Sequence, residues 1–144
     1  MNEFERLWSE IGTHGVMVLS TCAGNRVTSR SMSVVVYGGR FYCQTNVNYL
    51  KCRQIEQNPN VSLCCGSHVT EGECRIAGKP SEIPGFIAAM ERAFPDAVKR
   101  WSALPEERVL EITPAEVRSW VYEDGIPYIE IWDMKDETYR KERQ

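Results

Sequence analysis

Lys51 sits in the stretch "QTNVNYLKCRQIEQNP", residues 44–59, close to Thr45, Asn46 and Asn48. The stretch begins like the end of a strand and continues like a short amphipathic helix, with Leu50 and Ile55 on its inner face. A helix N-terminus offers unpaired N–H groups and a partial positive charge. A hydroxyl from Thr45 and a full charge from Lys51 would turn such an end into a cradle for a phosphate. "TSRSMS", residues 28–33, adds a second cation, Arg30, in a strand otherwise made of small and apolar residues. Alternation places Arg30, Met32, Val34 and Val36 on one face, and Ser31, Ser33, Val35 and Tyr37 on the other. If the first face points inward, Arg30 needs an anion, because an unpaired buried charge is costly. The same spacing also fits a solvated lysine on a surface helix and an arginine at an open barrel rim. No glycine-rich phosphate loop accompanies these residues.

Such residues need elements to position them. Phe4, Leu7, Trp8 and Ile11 recur at helical spacing before Gly12, which predicts a helix over 3–11. Residues 16–21, 27–37 and 40–45 read as three strands, with "AGN" and "GG" as the turns between them. Asn48 is the expected N-cap of the helix that Asn58-Pro59 ends. "VSLCCG" (61–66) and "ECRIAGKP" (73–80) give two more strands. A helix is expected over 81–94 with Pro84 in its first turn, then a shorter helical piece over 96–102. "RVLEITP" reads as a strand with a stop, and "VRSWVYEDGIPYIEIWD" as two strands around Asp124-Gly125. The tail from Met134 is highly charged and expected to be exposed. About seven antiparallel strands with inserted helices make a mainly β chain, and a small closed barrel would leave few free edges.

Composition narrows the function. The chain has 144 residues, 42% hydrophobic and 26% charged, which fits one globular domain over residues 1–144. Lys and Arg total 17 against 20 acids, and the net charge of -3 argues against a nucleic-acid binder. No apolar run reaches membrane-spanning length, and "MNEFERLWSEIG" lacks the basic start of a secretion signal. A cytoplasmic location is the expectation. The cysteines, at 22, 43, 52, 64, 65 and 74, include no CxxC pair, and His14 and His68 lack metal-ligand spacing. Reduced thiols and no metal site are expected.

The ordered set "VLSTCAGNRVTSRSMSVVVYGGRFYCQTNVNYLKCRQIEQNPNVSLCC" and then "CRIAGKP" resembles the pyridoxamine 5'-phosphate oxidase-like family of FMN-binding split β-barrels. The marks are an Arg-x-Met strand, a "(G)xxFYxxT" strand, a lysine-bearing helix ending in Asn-Pro, and a strand ending in Gly-Lys-Pro. All occur in order over residues 16–80. "ITPAEVRSW" (112–120) looks like the family's strand and turn ending in a tryptophan by the flavin. The resemblance implies a β-barrel with added helices, antiparallel and Greek-key-like, and FMN as cofactor, or a deazaflavin, which some relatives prefer. Carried over, Arg30 and Lys51 hold the FMN phosphate or its ribityl neighbourhood, and Gln44 and Thr45 contact the same chain of the cofactor. The backbone of Ser31, Met32 and Ser33 bonds the pyrimidine edge. Glu73 falls where the family often has a glutamine that reaches the flavin. Trp120 packs near the ring, although a core or interface tryptophan fits that position too. A homodimer with the flavin between two barrels is also implied, with the stripe of the first helix, Trp101, Trp120 and Trp132 as candidates for the interface.

Departures from the family pattern refine the reading. Leu50 stands where true oxidases often carry a second phosphate-binding arginine, and Glu73 puts a negative charge beside the site. After Trp120 there is no Arg-x-His motif for pyridoxal phosphate. The chain thus resembles a short member of the family rather than a true pyridoxamine phosphate oxidase. The implied activity is FMN-dependent oxidoreduction of a small planar substrate, and NADH or NADPH is a candidate electron donor. One alternative is a non-catalytic flavin- or haem-binding module for storage or redox sensing. Another is a thiol sensor, which needs Cys64, Cys65 or Cys74 exposed with a lowered pKa. No side chain stands out as a general acid or base, and His68 reads as a surface residue in a loop.

Overall fold

A computed structural model describes all 144 residues, Met1 to Gln144. Helix α1 (Glu3–Ile11) precedes a meander of β1 (His14–Ala23), β2 (Arg26–Tyr37) and β3 (Arg40–Asn46). Helix α2 (Leu50–Gln57) leads into the hairpin of β4 (Asn60–Cys65) and β5 (His68–Gly78). A helical insert follows, then β6 (Glu107–Glu123), β7 (Ile126–Asp133) and β8 (Thr138–Arg143). All pairings are antiparallel in the order β3-β2-β1-β4-β5-β6-β7-β8, and β3 also pairs with β6. That extra pairing closes β1 to β6 into a six-stranded barrel. β4 returns beside β1 after the meander, which is Greek-key order. Gly24-Asn25 and Gly38-Gly39 turn the two hairpins, all four with positive φ, as a two-residue I′ turn requires.

Alternation fills the barrel with Met17, Leu19, Val34, Phe41, Cys43, Leu63, Leu110 and Ile112. Asn2 and Glu5 start α1 with a capping box, the Glu5 N–H donating to Asn2 Oδ1 at 2.8 Å. α1 covers the Phe41 end of β3, with Leu7 and Ile11 in the core and the Trp8 ring 5.8 Å from Phe41. β7 and β8 extend past the barrel and lock onto α1. Trp132 is fully buried, and its Nε1 donates to the Glu3 carbonyl at 3.1 Å. Arg6 pairs with Glu3, Glu10 and the buried Glu130, and lies 5.2 Å over the Trp132 ring. The first-helix stripe and Trp132, expected at an interface, are therefore core within one chain. Trp101 and Trp120 are exposed.

Several boundaries differ from the sequence expectation. The helix expected over 81–94 is broken: Pro80–Glu82 is a 3-10 turn, and α3 spans only Phe86–Ala93. Gly85 has a φ of 79°, and the Tyr37 hydroxyl donates to the Pro84 carbonyl at 3.0 Å, which fixes Pro84 outside the helix. A single turn, α4 (Pro95–Ala97), runs into a π-helical turn, Val98–Ser102. Phe86 and Met90 pack on Val35, Tyr42 and Val109, a second small core on the outer side of the barrel. β6 is one 17-residue strand rather than two, because a bulge opposite Glu71-Gly72 accommodates Pro114. The charged tail forms an eighth strand at the sheet edge, where charges discourage further pairing. No helix is long and apolar enough to cross a membrane.

At the bulge the two strands approach closely, and a Cβ on Gly72 would lie 2.4 Å from the Thr113 carbonyl oxygen. Gly72→Ala should cost about 1–3 kcal/mol, read as a lower urea midpoint with an unchanged slope. An unchanged midpoint would mean that β5 and β6 do not meet in this register.

Candidate functional site

The first turn of α2 is built differently from the sequence expectation. Asn48 is not the cap: its N–H bonds back to Asn46 Oδ1 at 2.8 Å, and Tyr49 takes the cap position with no side-chain bond. The backbone N–H groups of Leu50 and Lys51 therefore have no acceptor within the chain. Lys51 reaches back to β3, where its Nζ donates to Thr45 Oγ1 at 2.9 Å and lies 4.9 Å from the centre of the Tyr49 ring. Burial lowers the pKa of Lys51, and the charge of Arg30 lowers it further.

Arg30 comes to the same end of the barrel from β2. Its Nη1 donates to Thr21 Oγ1 at 2.8 Å and to the Leu19 carbonyl at 3.3 Å, and its Nη2 donates to Thr28 Oγ1 at 2.5 Å. Burial lowers its pKa as well. Arg30 and Lys51 are both half-buried, and neither takes part in any of the protein's ion pairs. Glu107, opposite Asn46 on β6, favours the charge of Lys51 from a distance. Two cations, a hydroxyl and two free N–H groups thus share one rim, with the chemistry of an anion cradle.

The other candidates lie elsewhere. Met32 points inward against the core, whereas Ser31 is exposed on the outer face. Gln44 points away from Thr45, as the period of two demands. Its Nε2 donates to the Ala97 carbonyl at 3.4 Å, and its Oε1 accepts from the Ser102 hydroxyl at 2.8 Å. Gln44 thus clamps the helical insert. Glu73 is exposed on β5 and borders an outer-face groove of about 780 Å³, together with Ser20, Cys22, Val27, Ser62 and Lys135. Groove and cradle meet at Thr21, which lines the first and serves Arg30 in the second. Thr45 pairs with Arg108 near the start of β6, while Trp120 lies near its end, on the order of 40 Å along the strand. One chain therefore brings together Arg30, Thr45 and Lys51, and holds Gln44 and Trp120 apart from them. The sequence reading missed Thr21 and Thr28, which accept from Arg30, and Gln54, which accepts from both of them. The available signal was Gln54 itself, one helical turn after Lys51 on the inner side of α2.

The thiols divide by burial. All six cysteines are free, and Cys43, Cys52 and Cys74 are buried in the core. Burial pushes the Cys43 pKa up to about 12 and also raises those of Cys52, Cys65 and Cys74. A sensor based on Cys65 or Cys74 thus lacks the lowered pKa that it needs.

The sequence matches the pyridoxamine 5'-phosphate oxidase family over residues 5–121, most of its length, and the chain belongs to that family. No curated protein matches it. Among solved structures, General Stress Protein 26 from Bacillus anthracis str. Sterne has a TM-score of 0.64 at 21% identity, covering 81% of this chain and 92% of that one. A pyridoxamine 5'-phosphate oxidase-related, FMN-binding protein from Nostoc punctiforme PCC 73102 has a TM-score of 0.63 at 13% identity, covering 89% and 85%. HutZ, the heme storage protein from Vibrio cholerae, has a TM-score of 0.64 at 16% identity, covering 79% and 91%. At these identities the likeness shows the split-barrel fold, which these proteins put to different uses.

Native-state alkylation checks the burial of the thiols. Iodoacetamide should spare Cys43, Cys52 and Cys74 until the protein unfolds, as read by peptide mass spectrometry. Rapid labelling of Cys74 in the native protein would restore the sensor reading.

Proposed function

We propose that the protein is an FMN-binding flavoprotein that acts as an oxidoreductase on a small planar substrate. The observation that carries this reading is the pair of half-buried cations, Arg30 and Lys51, with no carboxylate partner, beside the Thr45 hydroxyl and two free N–H groups. A phosphate monoester supplies the negative charge and the acceptors that this rim lacks. FMN carries such a phosphate and, when bound, supplies hydride and electron transfer. Leu50 adds no charge, so the chain's own contribution is Arg30, Lys51 and the backbone of the first turn.

A homodimer belongs to the same reading. Val16, Val18 and Val27 are exposed on the outer face of β1 and β2, with Ser29 and Ser31 between them and the groove beside them. An uncharged, apolar sheet face of this kind suits an interface. A site completed by two copies accounts for a chain that keeps Trp120 far from its own cradle.

Flavin storage is the second reading, favoured by a groove whose lining has neither histidine nor tyrosine and offers only Glu71, Glu73, Lys135 and Cys22 as titratable groups. Haem suits the chain less well. His68 Nε2 lies 3.3 Å from Glu10, and neither histidine lines the groove.

Fluorescence titration with FMN tests the cradle. The wild type should quench FMN, and Lys51→Met should weaken binding about tenfold or more, the loss of one charge-assisted contact. A wild type that fails to quench FMN overturns the reading. Reduction of the loaded protein by NADH or NADPH, followed by reoxidation, separates an oxidoreductase from a store. Val18→Lys should convert a dimer into a monomer in sedimentation and weaken FMN binding with it. A dimer indifferent to that charge places the interface elsewhere.

A further inference from the structure

Gln54 is 3% exposed, an unusual burial for a glutamine in the middle of a helix. Its Oε1 accepts from Thr21 Oγ1 at 2.5 Å and from Thr28 Oγ1 at 2.8 Å, and its Nε2 donates to the Arg26 carbonyl at 3.1 Å. The same two hydroxyls accept from Arg30, Thr21 from Nη1 at 2.8 Å and Thr28 from Nη2 at 2.5 Å. The bond from Nε2 to the Arg26 carbonyl sets the amide, because a flipped Gln54 would place two oxygens against each other. Its Oε1 then faces the two hydroxyls, and since an amide oxygen only accepts, both donate to it while accepting from the Arg30 guanidinium.

The choice of an amide at this position has an electrostatic consequence. A glutamate would accept the same two hydroxyl bonds, but it would bring a negative charge behind Arg30. Gln54 supplies the acceptor without the charge. We propose that Gln54 is a positioning residue for the anion cradle: through Thr21 and Thr28 it fixes the Arg30 guanidinium without neutralising it, so that the site keeps its positive charge for a phosphate. The proposal rests on the phosphate reading of the cradle. Burial acts against both cations and the charge of Arg30 acts against that of Lys51, so a cradle kept cationic in this way favours an incoming anion.

FMN and riboflavin differ by the phosphate alone, so the ratio of their affinities isolates the cradle from the ring. Both ligands are titrated by fluorescence quenching into wild type, Gln54→Glu and Gln54→Met, each first shown to be folded by its thermal transition. The wild type should prefer FMN. Gln54→Glu should cut that preference about tenfold or more, with riboflavin affinity little changed. Gln54→Met keeps the side-chain shape and removes the acceptor, and it should cut the preference by a smaller factor. It also decides the matter where the glutamate variant does not fold. A merely structural Gln54 would weaken both ligands equally, and an unchanged ratio in the folded variants overturns the proposal alone. A wild type that binds riboflavin as well as FMN overturns the phosphate reading and the proposal with it.

Discussion

Phe41 to Asn46 pair with Ile112 to Glu107, and this short ladder closes six strands into a ring. Without it β3 would present a free edge, and its inward residues would have no interior to fill. Once the ring is closed, alternation assigns each side chain of β3. Phe41, Cys43 and Thr45 turn inward, while Gln44 turns outward to the helical insert. The open end of the ring near Thr45 must then be covered, and α2 covers it by sending Cys52 and Ile55 into the core. That packing also sets Lys51 against Thr45, and Gln54 against Thr21 and Thr28. The cation pair is thus placed by barrel packing, and no dedicated phosphate loop is needed.

The protein contains its own comparison for a buried arginine. Arg6 meets three carboxylates, those of Glu3, Glu10 and Glu130, and stacks on Trp132. Burial works against its charge, but hydrogen bonds to Glu130 and Glu3 more than offset this, and its pKa rises. Such an arginine is satisfied within the chain and holds α1 to the β7-β8 extension. Arg30 meets two hydroxyls and a carbonyl instead, and its pKa falls. Dipoles orient a guanidinium but leave its charge uncompensated. Arg30 lies deeper than Arg6, and it meets dipoles where Arg6 meets carboxylates, so both burial and surroundings separate the two.

The elements legible in the sequence were those set by local chemistry. The meander followed from two-residue turns, α1 from its period and the Gly12 stop, and the Arg30, Thr45 and Lys51 rim from alternation and a helix start. What stayed hidden depended on distant partners. The break at Pro84-Gly85 is fixed by Tyr37, from a strand far back in the chain. The length of β6 depends on a bulge that only its pairing with β5 reveals. The resemblance assigned Gln44 and Thr45 to one contact, yet neighbours in a strand face opposite ways. Gln54 was not singled out, and only its bonds to Thr21 and Thr28 show why it is buried.

β1 gives the candidate site its rigidity. Ser20 and Cys22 face the outer groove, while Thr21 between them turns inward to Arg30 and Gln54. Three consecutive residues therefore wall the groove and anchor the cradle. The strand is paired with β2 along this stretch and with β4 on the other side as far as Thr21. Neither feature can shift without breaking ladder bonds on both sides, so their relative position is set by the barrel. A loop-borne site would have to order its residues on binding, whereas side chains on a doubly paired strand lose little further freedom. The absence of a charge at Leu50 is then partly offset, because the two cations that remain are already held in place.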